Sequence, residues 1–386
     1  MSTPPTRPYG PAQAWPGQSA SGYLPYPPSG YAPPAAGYPG YPPPGYPPPW
    51  YPPPGYPAAP PIPPALKPGV IPLRPLSLSD IFNGAVGYIR ANPKATLGLT
   101  TAVVVITQII ALILQLAPLA VTGHLVPLRG EEASTAALVG SSASSIAGGI
   151  ATALSGILLS GMLTVVVGRA VFGSSITIGE AWAKVRGRLL ALIGLAALEA
   201  VGAVLLIGIV VLIVFGVAVA GNGAAAVVIG LPLVLAVTAA LVYLFTVLSF
   251  APVLIVLERL PVFAAISRSF ALVRNSFWRV LGIRALAGVV ATFVAGAVAV
   301  PFSFGGQLLL FGAESTGLVL IATVLIAVGS AIGQIITAPF SAGVVVLLYT
   351  DRRIRGEAFD LVLQTGAAGG PTATESTDNL WLTRPQ

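Results

Sequence analysis

Six long apolar segments follow one another along this chain and dominate what it can fold into. They lie near Ala95–Val121, Ile146–Val167, Leu189–Ala220, Ala224–Leu257, Trp278–Val300 and Gly317–Tyr349. Each provides the roughly 20 residues that a helix needs to cross about 30 Å of lipid hydrocarbon. Only 8% of the residues are charged, whereas about 25% is usual in soluble domains. The sequence therefore predicts an all-α membrane protein with six transmembrane helices.

The basic residues are concentrated on one side of the predicted membrane region. The turn 221–223 between spans three and four carries no charge, whereas arginines crowd the segments that join spans two and three and spans four and five. Because cytoplasmic loops carry the excess of Lys and Arg, we expect both termini in the cytoplasm. Arg is far more frequent than Lys, and Ala and Gly are abundant, as is typical of a GC-rich bacterial genome. The expected location is therefore the bacterial plasma membrane.

The two ends of the chain have a different composition. Residues 1–70 hold most of the 38 prolines together with Gly and Tyr, and YPPPGYP occurs there twice. Proline favours polyproline II and removes hydrogen-bond donors, so we expect a disordered cytoplasmic tail. Such a tail is also a possible ligand for a proline-binding protein, or a tyrosine-driven self-association segment. The polar residues 366–386 are expected to form a second, shorter disordered tail.

The membrane region, residues 71–365, contains a threefold internal repeat. An arginine is followed by a glycine after eight residues in three places: Arg90 and Gly98, Arg186 and Gly194, Arg274 and Gly282. Each predicted pair of spans then ends on another arginine: Arg169, Arg259 and Arg352. The sequence predicts three hairpins in the same orientation, at about 76–172, 173–260 and 261–352, and a closing amphipathic helix at 354–365.

Each repeat begins with a short amphipathic segment. In Phe263–Leu281 the apolar and aromatic residues share one face of a helix and the polar residues the other, except that Arg274 falls on the apolar side. We therefore expect this helix to break near Asn275. Such helices are typical of the cytoplasmic membrane interface, where arginine meets lipid phosphate. The predicted lipid-headgroup contacts are Arg90, Lys94, Trp182, Arg186, Arg188, Arg268, Arg274, Trp278 and Arg279. The thin spread of these basic residues argues against nucleic-acid binding.

Groups that carry catalysis or bind metals are scarce. There is no cysteine, which excludes thiolate chemistry, and the single histidine, His124, is predicted in an outer loop. No metalloprotease, serine-hydrolase or Walker motif occurs. Acid–base catalysis needs several titratable groups in one pocket. We therefore expect no cofactor, no metal site and no enzymatic activity.

One ionisable residue stands inside an apolar span. Glu199 lies in LIGLAALEAVGAVLL, where a charge costs about 2.5–3.5 kcal/mol near the centre of a span. Its predicted partner is Arg284 in span five, at a similar depth. Small residues at four-residue spacing, Gly288, Thr292 and Gly296 in one row and Gly156 and Ser160 in another, predict helix contacts within the chain or between chains.

The block IPLRPLSLSDIFNGAVGYIRANPKATLGL (Ile71–Leu99) is the most specific stretch, with echoes in GEAW and VRNSFWRVLG. It resembles the start of an actinobacterial family of proline- and glycine-rich multi-pass transmembrane proteins of unknown function. These look like the membrane domain fused to some glycerophosphoryl diester phosphodiesterases. The phosphodiesterase chemistry belongs to a separate soluble domain, so the resemblance implies no activity for residues named above.

Two functions remain open. The first is a non-enzymatic protein that organises lipids or partner proteins, with the proline-rich tail as a tether. The alternative is a permease for a small molecule or lipid, with a cavity between the three hairpins. A cavity that is lined by Glu199 and Arg284 and accessible to water would favour the permease, and a dry contact between the two residues would not. The expected partners are membrane lipids and a protein bound to the tail; the sequence leaves the oligomeric state open.

Overall fold

The computed structural model describes residues 69–72, 74–122, 135–221, 223–312, 315–368 and 378–382. Those residues form helices and connecting turns, without a strand. Six helical segments among them are long and apolar enough to cross a membrane: Lys94–Leu116, Ser142–Val171, Ile178–Val219, Gly223–Leu257, Phe277–Phe311 and Thr316–Glu357. The prediction of an all-helical chain with six such segments is confirmed. The proline-rich tail up to residue 68 and His124 lie outside the described residues.

Eleven α-helices make up the described part of the chain. In order, they are α1 Leu78–Ala91, α2 Leu99–Thr122, α3 Thr135–Val171, α4 Ile178–Val185, α5 Leu189–Val219, α6 Gly223–Val247, α7 Ala251–Leu257, α8 Val262–Arg274, α9 Phe277–Phe311, α10 Thr316–Glu357 and α11 Phe359–Ala368.

The short helices α1 and α4 begin with the same local signal. Ser77 accepts a hydrogen bond from the backbone N–H of Asp80, and the Asp80 side chain accepts one from the backbone N–H of Ser77. Thr177 and Glu180 form the same capping box at α4. These reciprocal bonds satisfy donors that a helix start leaves open.

An irregular turn separates each of these short helices from the span that follows. Between α1 and α2 it is a π-helical turn, Lys94–Gly98, and between α4 and α5 a 3₁₀ turn, Arg186–Arg188. Helix α8 ends at Arg274, and α9 begins at Phe277 after two non-helical residues. The break predicted near Asn275 is confirmed.

Three pairs of long helices pack side by side: α2 with α3, α5 with α6, and α9 with α10. Helix α10 also contacts α1, α2 and α3, so it joins the first and third pairs. Glycines let α9 and α10 approach closely, since a Cβ at Gly329 would lie 2.6 Å from Phe302 Cβ and one at Gly306 would lie 2.8 Å from the Ala322 carbonyl oxygen.

The glycines of the row predicted on α9 do not pack closely against another described helix. A Cβ at Gly288 or Gly296 would have no atom within 4 Å, and the same is true of Gly156. The close contacts use other glycines of α9 and α10, because in a chain rich in Ala and Gly the spacing alone does not mark the packed face.

Helices α5 and α6 expose most of their apolar side chains. Leu212 is 71% exposed and Val228 72%. An apolar surface of this extent is unfavourable in water but suits lipid.

The short helices α1, α4 and α8 gather at one end of the bundle. Val70 N–H donates to the Ala170 carbonyl at the end of α3, and Ser269 of α8 donates to the Val247 carbonyl at the end of α6. We call this the basic end, because the arginines described below are found there. Residues 378–382 also pack here, since Trp381 is buried among Phe172, Tyr349 and Phe359. Disorder is predicted for 366–386, of which 369–377 and 383–386 lie outside the described residues.

Candidate functional site

A cavity of about 380 Å³ lies between α3, α5, α6, α7, α9 and α10 and brings Glu199 and Arg284 together. Its apolar wall includes Leu159, Leu163 and Val253. Its polar lining includes Ser160, Glu199, Ser249, Arg284, Gln334 and Ser341. We call it the intramembrane cavity, because all these residues belong to or adjoin the candidate spans.

The two charged residues of this cavity are held differently. Arg284 donates from Nη1 to the Phe245 carbonyl oxygen at 2.9 Å, and its guanidinium carbon lies 4.0 Å from the centre of the Phe245 ring. Glu199 is an exposed residue of the cavity lining. The two charges interact electrostatically, without a direct ion pair among the described contacts. The predicted pair therefore shares one cavity instead of forming a tight bridge.

Two further polar groups belong to the same cavity. Ser249 is buried, and its Oγ has no hydrogen-bond partner within the described residues. Gln334 donates to Ser330 Oγ at 3.1 Å, which leaves its amide oxygen available as an acceptor. The cavity therefore offers a cation, a carboxylate, an amide and hydroxyls against an apolar wall. This combination suits an amphipathic ligand.

A buried carboxylate, Glu258, organises the basic end. It caps the C-terminus of α7, and its side chain is fully buried. Arg268 Nε lies 2.6 Å from Oε2, and Tyr349 donates its hydroxyl to Oε1 at 2.5 Å. Arg353 lies 3.6 Å from Oε1 and also pairs with Glu357. This network ties α7, α8 and α10 together.

A second buried carboxylate, Asp351 on α10, ties the segment just before α1 to α9 and α10. It accepts hydrogen bonds from the Leu76 backbone N–H and from Arg355 Nε, both at 2.8 Å. Arg279 Nη2 lies 3.3 Å from its other oxygen. Arg279 and Arg355 both donate to the Leu76 carbonyl oxygen as well.

A family model described as a domain of unknown function, DUF7847, matches residues 76–352. The chain belongs to this family. No curated protein and no solved structure matches it. The DUF7847 region covers the intramembrane cavity, Glu258 and Asp351. The family description assigns no activity, so the likeness to a phosphodiesterase-linked membrane domain stays a prediction.

The predicted headgroup residues of the DUF7847 region divide into two groups. One group has exposed side chains at the basic end: Arg90, Lys94, Trp182, Arg186, Arg274 and Trp278. The other group contains Arg268 and Arg279, which pair with the buried carboxylates above, and Arg188, which is partly buried beside a second cavity. The first group and Arg188 have no ion pair among the described contacts, whereas Arg268 and Arg279 are engaged by the buried carboxylates; lipid contact itself stays a prediction.

Sequence reasoning missed the carboxylates Glu258, Asp351 and Asp378. A signal was available for the first two, since each directly precedes an arginine that ends a pair of spans, in a chain with only 12 acidic residues. Asp378 lies outside the DUF7847 match and accepts two hydrogen bonds from Arg169, at 3.0 and 2.8 Å, and one from Lys184.

Proposed function

We propose that this DUF7847 protein is a non-enzymatic permease that takes an amphipathic small molecule or a lipid into the intramembrane cavity. The observation that carries the proposal is that Glu199 and Arg284, ionisable residues well inside predicted spans, line one open cavity. Ionisable residues within spans are energetically costly and rare, and they commonly mark a substrate or ion pathway. A buried pair without a cavity would have favoured a purely structural role.

The proposed topology is three hairpins in the same orientation, with both termini in the cytoplasm of a bacterium and the basic end facing the cytoplasm. In support, each predicted repeat begins with a short helix, namely α1, α4 and α8. Within the described residues the arginines gather at the end where those helices lie, as the positive-inside rule expects for a cytoplasmic face. Glu199 lies ten residues into α5, about 15 Å along that helix.

The experiment compares Glu199→Gln and Arg284→Gln with the wild-type protein in proteoliposomes. The first probes are fluorescent NBD-labelled phosphatidylglycerol and phosphatidylcholine, whose movement between leaflets is followed by dithionite quenching. Small molecules and lipids that co-purify with each variant are identified by mass spectrometry. We expect both variants to be made at wild-type level and to lose lipid movement, co-purified ligand, or both.

Gln115→Leu is the control, because it removes polarity from another span outside the cavity. It should behave as wild type. The proposal fails if the wild-type protein moves neither probe and its co-purified molecules are the same as those of Glu199→Gln.

The second candidate is a scaffold that gathers lipids or a partner protein through the proline-rich tail. The repeated YPPPGYP supports it, because polyproline II segments dock in aromatic grooves at small entropic cost. A pull-down from membranes with and without residues 1–70 tests it. A partner lost only on truncation supports the tether, and an identical partner set contradicts it.

A further inference from the structure

A second cavity of about 380 Å³ lies at the basic end, between α3, α4, α7 and the C-terminal residues 378–381. It is separate from the intramembrane cavity and does not depend on the permease proposal. Four basic side chains line it: Arg169, Lys184, Arg188 and Arg259. The carboxylate of Asp378 is the acidic group on its wall. The lining therefore carries a net positive charge of about three at neutral pH.

Of the four basic side chains, only two have an acidic partner among the described residues. Arg169 and Lys184 both bind Asp378, and the Arg169 contact is bidentate. No described residue pairs with Arg188 or Arg259. Cations gathered without matching acids repel one another, so an arrangement of this kind favours an added anion.

The backbone at Arg259 strengthens this point. Its φ angle is +58°, in the left-handed region at the end of α7, where glycine is the usual residue. A non-glycine residue there is unfavourable by about 1–2 kcal/mol. The chain thus tolerates a strained backbone at a position that brings a guanidinium to the cavity wall, which fits a role in ligand binding.

We propose that this cavity binds a phosphate group, either the headgroup of a net anionic phospholipid or a free phosphate, and that Asp378 is its tethered occupant. Arginine binds carboxylate and phosphate in the same two-pronged geometry, so the Asp378 carboxylate mimics the ligand. The phosphate group engages Arg188 and Arg259 as well as Arg169 and Lys184, and displaces Asp378. Because Trp381 lies three residues on and is buried at the same place, displacement undocks the C-terminal segment.

The test follows Trp381 in the full-length protein, with the other four tryptophans replaced by phenylalanine. In one arm, phosphatidylcholine nanodiscs are titrated with sodium phosphate, against sodium chloride at equal ionic strength. In the other, phosphatidylglycerol nanodiscs are compared with phosphatidylcholine nanodiscs without added phosphate. Displacement moves Trp381 into water and shifts its emission to longer wavelength. A response to phosphate alone assigns free phosphate, and a response to phosphatidylglycerol alone assigns a lipid headgroup.

The variants distinguish binding at this cavity from a general effect of positive charge at the basic end. Arg188→Gln with Arg259→Gln removes the two unpaired cations and should abolish the response, while the exposed Arg90→Gln removes a charge elsewhere at the same end and should not. Asp378→Asn removes the competing carboxylate and should tighten phosphate binding by about tenfold or more in titration calorimetry. The proposal is overturned if neither probe shifts the emission, or if the double arginine variant responds as the wild type does.

Discussion

Replacing Glu258 with glutamine is the sharpest test of how the basic end is held together. The side chain of Glu258 is fully buried, and its two oxygens serve Arg268, Tyr349 and Arg353. Glutamine has nearly the same shape, but it loses the negative charge and one acceptor oxygen. Arg353, whose side chain is only 5% exposed, would keep only Glu357 as its acidic partner.

The expected loss follows from burial. Removing one partner of a buried ion pair costs about 3–5 kcal/mol, because a charge stays behind without compensation. Glutamine keeps an amide oxygen that can still accept from Tyr349, so we expect the lower end, about 3 kcal/mol. At about 2 °C for each kcal/mol in a domain of this size, the midpoint of thermal unfolding should fall by roughly 6 °C.

The control is Glu357→Gln. Glu357 pairs with the same two arginines but is 29% exposed, and exposed pairs contribute about 1 kcal/mol or less. Both variants are unfolded in detergent micelles while helix content is followed by circular dichroism. If Glu258→Gln lowers the midpoint no more than Glu357→Gln does, burial does not set the strength of this network.

Two further predictions concern helix packing and pH. Gly329→Ala places a Cβ 2.6 Å from Phe302 Cβ and should lower the free energy of unfolding by about 1–3 kcal/mol. The control Gly288→Ala places its Cβ in open space and should be neutral or stabilising in the same thermal assay. Burial raises the pKa of the Asp378 carboxyl group, but hydrogen bonds from Arg169 and Lys184 outweigh it and hold that pKa below its usual value. A depressed acid pKa stabilises the docked segment above the unfolded value of about 3.9. Trp381 emission should therefore stay constant from neutral pH to about 4 and shift only below that value; a shift near pH 6 would contradict this.

The spans were predictable because the information is local. Lipid demands about 20 successive apolar residues, and the chain meets that demand six times among the described residues. The break after Arg274 was predictable for a similar reason. If the helix continued without a break, it would hold the Arg274 guanidinium on its apolar face, which is unfavourable. Glu199 and Arg284 could be matched because ionisable residues inside the spans are so rare.

The carboxylate networks were not predictable in the same way, because they join distant positions. Leu76 and Asp351 stand 275 positions apart, and the sequence offers only an acid beside an arginine. For Arg268 and Arg279, the amphipathic pattern already predicted contact with lipid headgroups. The sequence therefore offered no reason to expect that they pair with Glu258 and Asp351. The position of Asp378 depends on how Trp381 packs in the folded chain. The polar residues that flank Asp378 in the sequence do not predict that packing.

The most direct test of the central claim, an open polar cavity between the spans, uses the absence of cysteine from the chain. Single cysteines are placed at Ser341, on the cavity wall, and at Val204, which is 68% exposed on α5 outside the cavity. A thiol reacts as the thiolate and therefore needs water. In membrane vesicles, a membrane-impermeant maleimide should label Ser341→Cys and leave Val204→Cys unlabelled. Labelling of Val204→Cys alone, or of neither position, would contradict the cavity and the function proposed for it.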